Sequence, residues 1–165
     1  MIAITLPDGS VKKYEAGSTP MDVAKSISEG LARNVISASY NDTTIESTTP
    51  LNEDGSLVLY TWNNEEGKKA FWHSTAHILA QALEALYPHV KLWVGPAIDK
   101  GFYYDVDLGE DTISEKDFKT IEDKMLEIAR GKHDFKMRSV SKADALSYYK
   151  GKNEYKVDLI NGLED

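Results

Sequence analysis

The chain has no cysteine among its 165 residues. Disulfides and thiolate zinc sites are therefore excluded, and a reducing compartment fits. It has no apolar run approaching the roughly 20 residues that a membrane helix needs. Its start, MIAITLPDGS, lacks the basic stretch and apolar core of a secretory signal. A cytoplasmic protein with no membrane partner is the expectation. Excess positive charge is missing too: 19 Lys and Arg stand against 27 Asp and Glu, a net charge of −8. Residues 1–62 carry 4 basic and 8 acidic side chains, and residues 63–165 carry 15 and 19. Bulk attraction to nucleic acid is excluded. Two local basic groups remain: Lys132, Lys136, Arg138 and Lys142, then Lys150, Lys152 and Lys156.

The first 62 residues read as a small mixed sheet with one helix. IAITL (residues 2–6) alternates, Pro7-Asp8-Gly9-Ser10 is turn chemistry, and Val11 to Glu15 continues as a second strand. Thr19 caps a helix, Pro20 suits its first position, and Asp22 closes a capping box. Met21, Ala24, Ile27 and Ser28 are the expected inner stripe, and Gly30 the stop. Val35 to Tyr40, the turn Asn41-Asp42, and Thr43 to Ser47 form a second hairpin. Leu57 to Trp62 is the last strand. Hairpin, helix and three short strands are the order of a ubiquitin-like β-grasp module. Residues 63–67 are polar and patternless and read as a linker.

The region from 68 to 165 opens with a helix over about residues 68–87, ended by Pro88. It carries His73 and His77, four apart and so on one face, one turn apart. Two imidazoles so placed suit metal ligation or shared general-base and hydrogen-bonding work. The spacing is equally met by two packed or half-exposed histidines. Position 74 is Ser, so the zinc-protease pattern is absent. His89 and His133 are the other histidines and are poorly placed to complete a zinc site. Strands are expected at 90–94, 102–106, 134–140 and 155–160. Helices are expected after Ser114, with the stripe Phe118, Ile121, Met125 and Ile128, and after Ser141. Gly95-Pro96 and Gly101-Phe102-Tyr103-Tyr104-Asp105 mark a second feature, a glycine turn beside tandem tyrosines. Lys156 is a third, read as an ammonium on a half-buried strand, able to meet a phosphate or polarise a hydroxyl; a surface lysine is the alternative. The pattern stops at Asp165 without a closing element, which reads as a fragment of something longer.

In this order these features resemble the N-terminal part of bacterial threonyl-tRNA synthetases. The carrying residues are ITLPDGS (Ile4 to Ser10), STPMDVA (Ser18 to Ala24), HSTAH (His73 to His77), VGPAIDKGFYYDVDL (Val94 to Leu108) and YKV (Tyr155 to Val157). The β-grasp part, called TGS, also occurs in stringent-response enzymes and certain GTPases. The histidine pair with GFYYDV is more specific, and is similar to the editing domain of alanyl-tRNA synthetases, which lack the TGS module.

The resemblance implies an α+β chain. A TGS β-grasp domain spans 1–62, a linker 63–67, and the first part of a tRNA-editing domain of the threonyl/alanyl type 68–165. It implies a parent that attaches threonine to its tRNA with ATP and hydrolyses mischarged seryl-tRNA. His73 and His77 match the family's editing histidines. Tyr104 and Lys156 match positions near the terminal adenosine and the seryl group, with Gly95 on the substrate-binding side. No metal ligand is expected. The family's editing site also uses a Cys and a His from a later segment. The chain is therefore expected to edit poorly and not to charge tRNA. ATP, Mg and Zn belong to an aminoacylation core. A homodimeric parent and a monomeric fragment are implied. Two rival readings are a free-standing deacylase and a docking module with structural histidines.

Overall fold

The computed structural model describes residues 1–133, 135 and 138–164. It divides into two compact units, Met1–Trp72 and His73–Asp165.

The first unit is a five-stranded sheet with a short helical segment. Its strands are β1 (Ile2–Thr5), β2 (Val11–Tyr14), β3 (Val35–Tyr40), β4 (Thr43–Glu46) and β5 (Gly55–Thr61), in the order β2-β1-β5-β3-β4. β1 and β5 run parallel, and the other pairs are antiparallel. Asn41 and Asp42 take φ of 49° and 62°, the left-handed pair that a tight hairpin between β3 and β4 requires. Ile2, Ile4, Val23, Ala38, Leu51 and Leu57 form one buried cluster. Each large aliphatic there contributes about 1.5–3 kcal/mol of burial.

Thr19 and Asp22 form the expected capping box of α1 (Pro20–Ile27). Thr19 Oγ1 accepts from Asp22 N at 3.2 Å, and Asp22 Oδ2 accepts from Thr19 N at 3.0 Å. The stop differs from expectation. Ser28 leaves helical geometry and caps a second helix, α2 (Glu29–Ala32), through Leu31 N at 3.0 Å, so Gly30 lies inside α2. The inner face also differs: Pro20, Val23 and Ala24 are buried, whereas Ile27 is 40% exposed. In an eight-residue helix only one i, i+3, i+4 set can face the sheet.

Helix α3 (Glu65–Leu86) begins within the polar stretch 63–67, and the division between the units falls inside it. No helix among the described residues is long and apolar enough to cross a membrane.

The second unit continues with β6 (Lys91–Leu92), β7 (Ala97–Ile98), β8 (Gly101–Phe102) and β9 (Val106–Asp107). Helices α4 (Glu115–Arg130), α5 (Lys142–Tyr149) and α6 (Glu154–Asn161) follow. β6 pairs with β9 and β7 with β8, both antiparallel. The strand expected at 102–106 is interrupted, with 103–105 between β8 and β9. The strand expected at 155–160 is helix α6. Asn153 caps it by accepting from Lys156 N, and Gly162 closes it. Of the strand expected at 134–140, residues 134, 136 and 137 lie outside the described residues, and 138–140 are irregular. On α4, Ile121 is buried as expected, but Phe118 is 53% exposed.

Candidate functional site

Helix α3 buries Ala76, Ala80, Ala82 and Leu83 and carries His73 and His77 on an open face. Their rings meet edge to face with centroids 4.6 Å apart. The two Nε2 atoms are 3.1 Å apart. One of these nitrogens must carry the hydrogen and the other accept it, so at least one imidazole is neutral. Burial pushes His77 below the ordinary imidazole value, and the neighbouring His73 and Lys156 push it the same way.

A cavity of about 450 Å³ opens beside the pair. Its walls come from three stretches of sequence: His73 and His77 on α3, residues 93–96 with Tyr104 around the β6–β9 ladder, and Lys156 on α6. Tyr104 lies flat on Gly95, where an added Cβ would stand 2.3 Å from the ring. Burial raises the Tyr104 phenol above its ordinary value, with Glu84 and Tyr149 adding to the effect, so it is a hydrogen-bond donor at neutral pH.

Lys156 reaches the cavity from the first turn of α6, and its Nζ donates to Trp93 O at 2.5 Å. Burial lowers its ammonium below the usual lysine value, and Glu84 opposes that. Trp93 in turn stacks on Tyr155, with centroids 6.0 Å apart and planes 27° off parallel. Tyr155 donates to Asp107 at 2.8 Å, and Lys91 pairs with Glu154 at 2.6 Å. The five candidate site residues His73, His77, Gly95, Tyr104 and Lys156 therefore border one cavity, whereas Phe102, Tyr103 and Asp105 of the tandem-tyrosine stretch do not line it.

Residues 2–61 match the TGS domain family. Threonine–tRNA ligase of Flavobacterium johnsoniae is 68% identical over the whole chain, which covers 25% of that relative. The corresponding ligases of Flavobacterium psychrophilum and Cytophaga hutchinsonii are 67% and 52% identical over the whole chain, covering 25% and 26% of each. The chain resembles threonine–tRNA ligases from end to end. It spans about a quarter of the length of these ligase relatives.

Two further residues that support the cavity, Trp93 on its wall and Asn153 behind it, were not singled out in the sequence. Trp93 supplies the carbonyl that receives Lys156, and Asn153 caps the helix that presents it. Asn153 was readable, since Asn before the mixed stretch EYKVDLIN, with an acidic residue in its first turn, and Gly162 after it are helix punctuation. Among the described residues no group of three or more His, Asp or Glu gathers as a metal site.

Proposed function

We propose that this chain is the N-terminal region of a threonine–tRNA ligase and that its histidine cavity is part of the site that hydrolyses seryl-tRNA for threonine. The observation that carries the reading is the convergence of His73, His77, Tyr104 and Lys156 on one cavity from separate stretches of sequence. The physical need is a methyl group. Serine is smaller than threonine by one methyl, and binding alone rejects such a difference by only about 1–3 kcal/mol.

In this reading water attacks the ester carbonyl of the seryl group. The bond to the ribose oxygen breaks, and that oxygen takes a proton. His73 contacts the terminal ribose and orients the water. His77, held neutral by its surroundings, accepts from His73 or takes up the proton. Lys156 directs a cationic donor at the developing oxyanion. Tyr104, firmly protonated, donates to the substrate, and Gly95 gives its ring room.

The chain's residues form part of that site. The resemblance calls for a further thiol and imidazole, and this sequence has no cysteine. The proposal assigns ATP, Mg and Zn, and the dimer contacts of the parent, to regions outside the quarter that this chain matches. The 165-residue chain is accordingly a monomer that does not charge tRNA and edits weakly.

The test is single-turnover deacylation of seryl-tRNA by the full-length ligase, with and without His73→Ala. A loss of about 10²–10⁴-fold is expected, with threonylation intact. Near-normal hydrolysis in the variant removes His73 from the chemistry and the cavity from this role.

A further inference from the structure

The cavity depends on where the Lys156 ammonium sits, and Lys156 stands on a short helix. Tyr155, through Trp93 and Asp107, and Glu154, through Lys91, hold the body of that helix; at its start a single side chain ties the helix cap to the strand. Asn153 Oδ1 accepts from Lys156 N at 3.2 Å, the ordinary work of an N-cap. Its Nδ2 is used at the same time, donating to Leu92 O at 2.8 Å on β6. Ser, Thr and Asp cap helices as well as Asn. Of these four only Asn offers, besides the capping oxygen, an N–H₂ that can reach a carbonyl.

The carbonyl that receives Lys156 is also a product of local irregularity. Asp105 O accepts from Trp93 N at 2.9 Å, while Asp105 N donates to Val94 O at 2.8 Å. Two residues thus stand opposite one, the count of a β-bulge, and the Trp93 carbonyl is left over from the ladder. Lys156 Nζ takes it. The strap from Asn153 lands one residue earlier, on Leu92, so the helix start and the ammonium are fixed on adjacent carbonyls of one strand. The Lys91–Glu154 pair is exposed on at least one side and screened by solvent, so it holds less firmly.

We infer that Asn153 is a positioning residue, whose amide straps the start of α6 to β6 and so sets the place of the Lys156 ammonium on the cavity wall. The inference deepens the proposed hydrolytic site and rests on that reading for its catalytic consequence, but not for its structural one.

The experiment uses Asn153→Ser, which keeps a capping oxygen and removes the amide. Helix content is followed by circular dichroism. The Lys156 ammonium is titrated by NMR in the 165-residue chain, its signal assigned by its disappearance in Lys156→Met. In the unsubstituted protein Lys156 faces Trp93 O, His77 and Glu84. With the strap cut, α6 stays helical and the Lys156 midpoint rises toward the ordinary lysine value of 10.5. Seryl-tRNA deacylation by the full-length ligase carrying the same change falls about 10–100-fold, the cost of an ångström-scale misplacement. A folded variant with an unmoved Lys156 midpoint overturns the inference. A moved midpoint with unchanged deacylation upholds the positioning role and removes Lys156 from the hydrolytic reading. Asn153→Thr, another neutral cap without an amide, gives the same reading should the serine variant not fold.

Discussion

Tyr104 packs its ring directly on the backbone of Gly95, and an added Cβ at Gly95 would stand 2.3 Å from Cδ2 and 2.4 Å from Cε2 of that ring. Gly95→Ala must push the ring out of the cavity wall. A cost of about 1–3 kcal/mol is expected, as for other overpacked contacts. Urea denaturation measures it. In a Tyr104→Ala background the same Gly95→Ala change is expected to be nearly neutral. That non-additivity is the sign of direct contact; additive effects would place the strain elsewhere.

The histidine pair makes stability depend on pH in a defined direction. Burial is the main cause of the lowered His77 value, below 6.5. The unfolded chain therefore takes up a proton at His77 before the folded chain does. The resulting stabilisation is full above the unfolded value near 6.5 and is lost as pH falls through the folded value. Urea midpoints compared at pH 7.5 and pH 5.5 are expected to drop more in the unsubstituted protein than in His77→Gln. NMR titration is expected to show His77 ionising below the ordinary imidazole range. An ordinary or raised midpoint would contradict the partly desolvated, neutral state assigned to it.

Two helical glycines predict effects of opposite sign. Gly67 sits in the first turns of α3, where a Cβ would meet Thr61 O at 2.0 Å. Backbone cannot swing aside as a side chain can, so Gly67→Ala is expected to cost at least about 1–3 kcal/mol. Gly30 lies inside α2, with its nearest neighbour for a Cβ at 3.9 Å and no left-handed φ. Gly30→Ala is expected to stabilise by about 0.4–1 kcal/mol through the unfolded chain. Thermal or urea denaturation of the two variants side by side decides both.

The capping box at Thr19 is the main determinant of where α1 starts. Thr19→Ala removes the acceptor of Asp22 N and the reciprocal hydroxyl contact to Asp22. A loss of about 1 kcal/mol is expected. Thr19→Ser should restore most of it, measured by the same denaturation.

The first unit was legible because its signals agree: period-2 apolar residues in β1, turn chemistry at Asp8-Gly9, and a cap at Thr19 all point one way. The errors there are one of phase and one of ending. Ile27 falls on the expected inner stripe, but Ser28 competes for the backbone and starts a new helix two turns after Pro20. In the second unit the stretch Tyr155 to Ile160 alternates apolar and polar well enough to read as a strand. Over six residues a period of two and a period of 3.6 are hard to separate. The cap at Asn153 decides it, and the cap is read only if the residues before the apolar run are weighed. Spacing brought His73 and His77 together, because i and i+4 meet on any helix. It gave no hint of Trp93 O as the partner of Lys156, since that contact joins residues 63 apart and uses a backbone atom that every residue type carries.

The parallel pairing of β1 with β5 has a consequence for synthesis. Ile4 and Thr5 are made well before their partners Gly55 and Ser56. On a ribosome the β1–β2 hairpin waits with one side open until Gly55, 41 residues after Tyr14, and the rest of β5 have been added. The sheet then closes in a single late event, through its most non-local contact. Until that moment Ile2 and Ile4, the heart of the finished core, are exposed to the crowded space around the emerging chain.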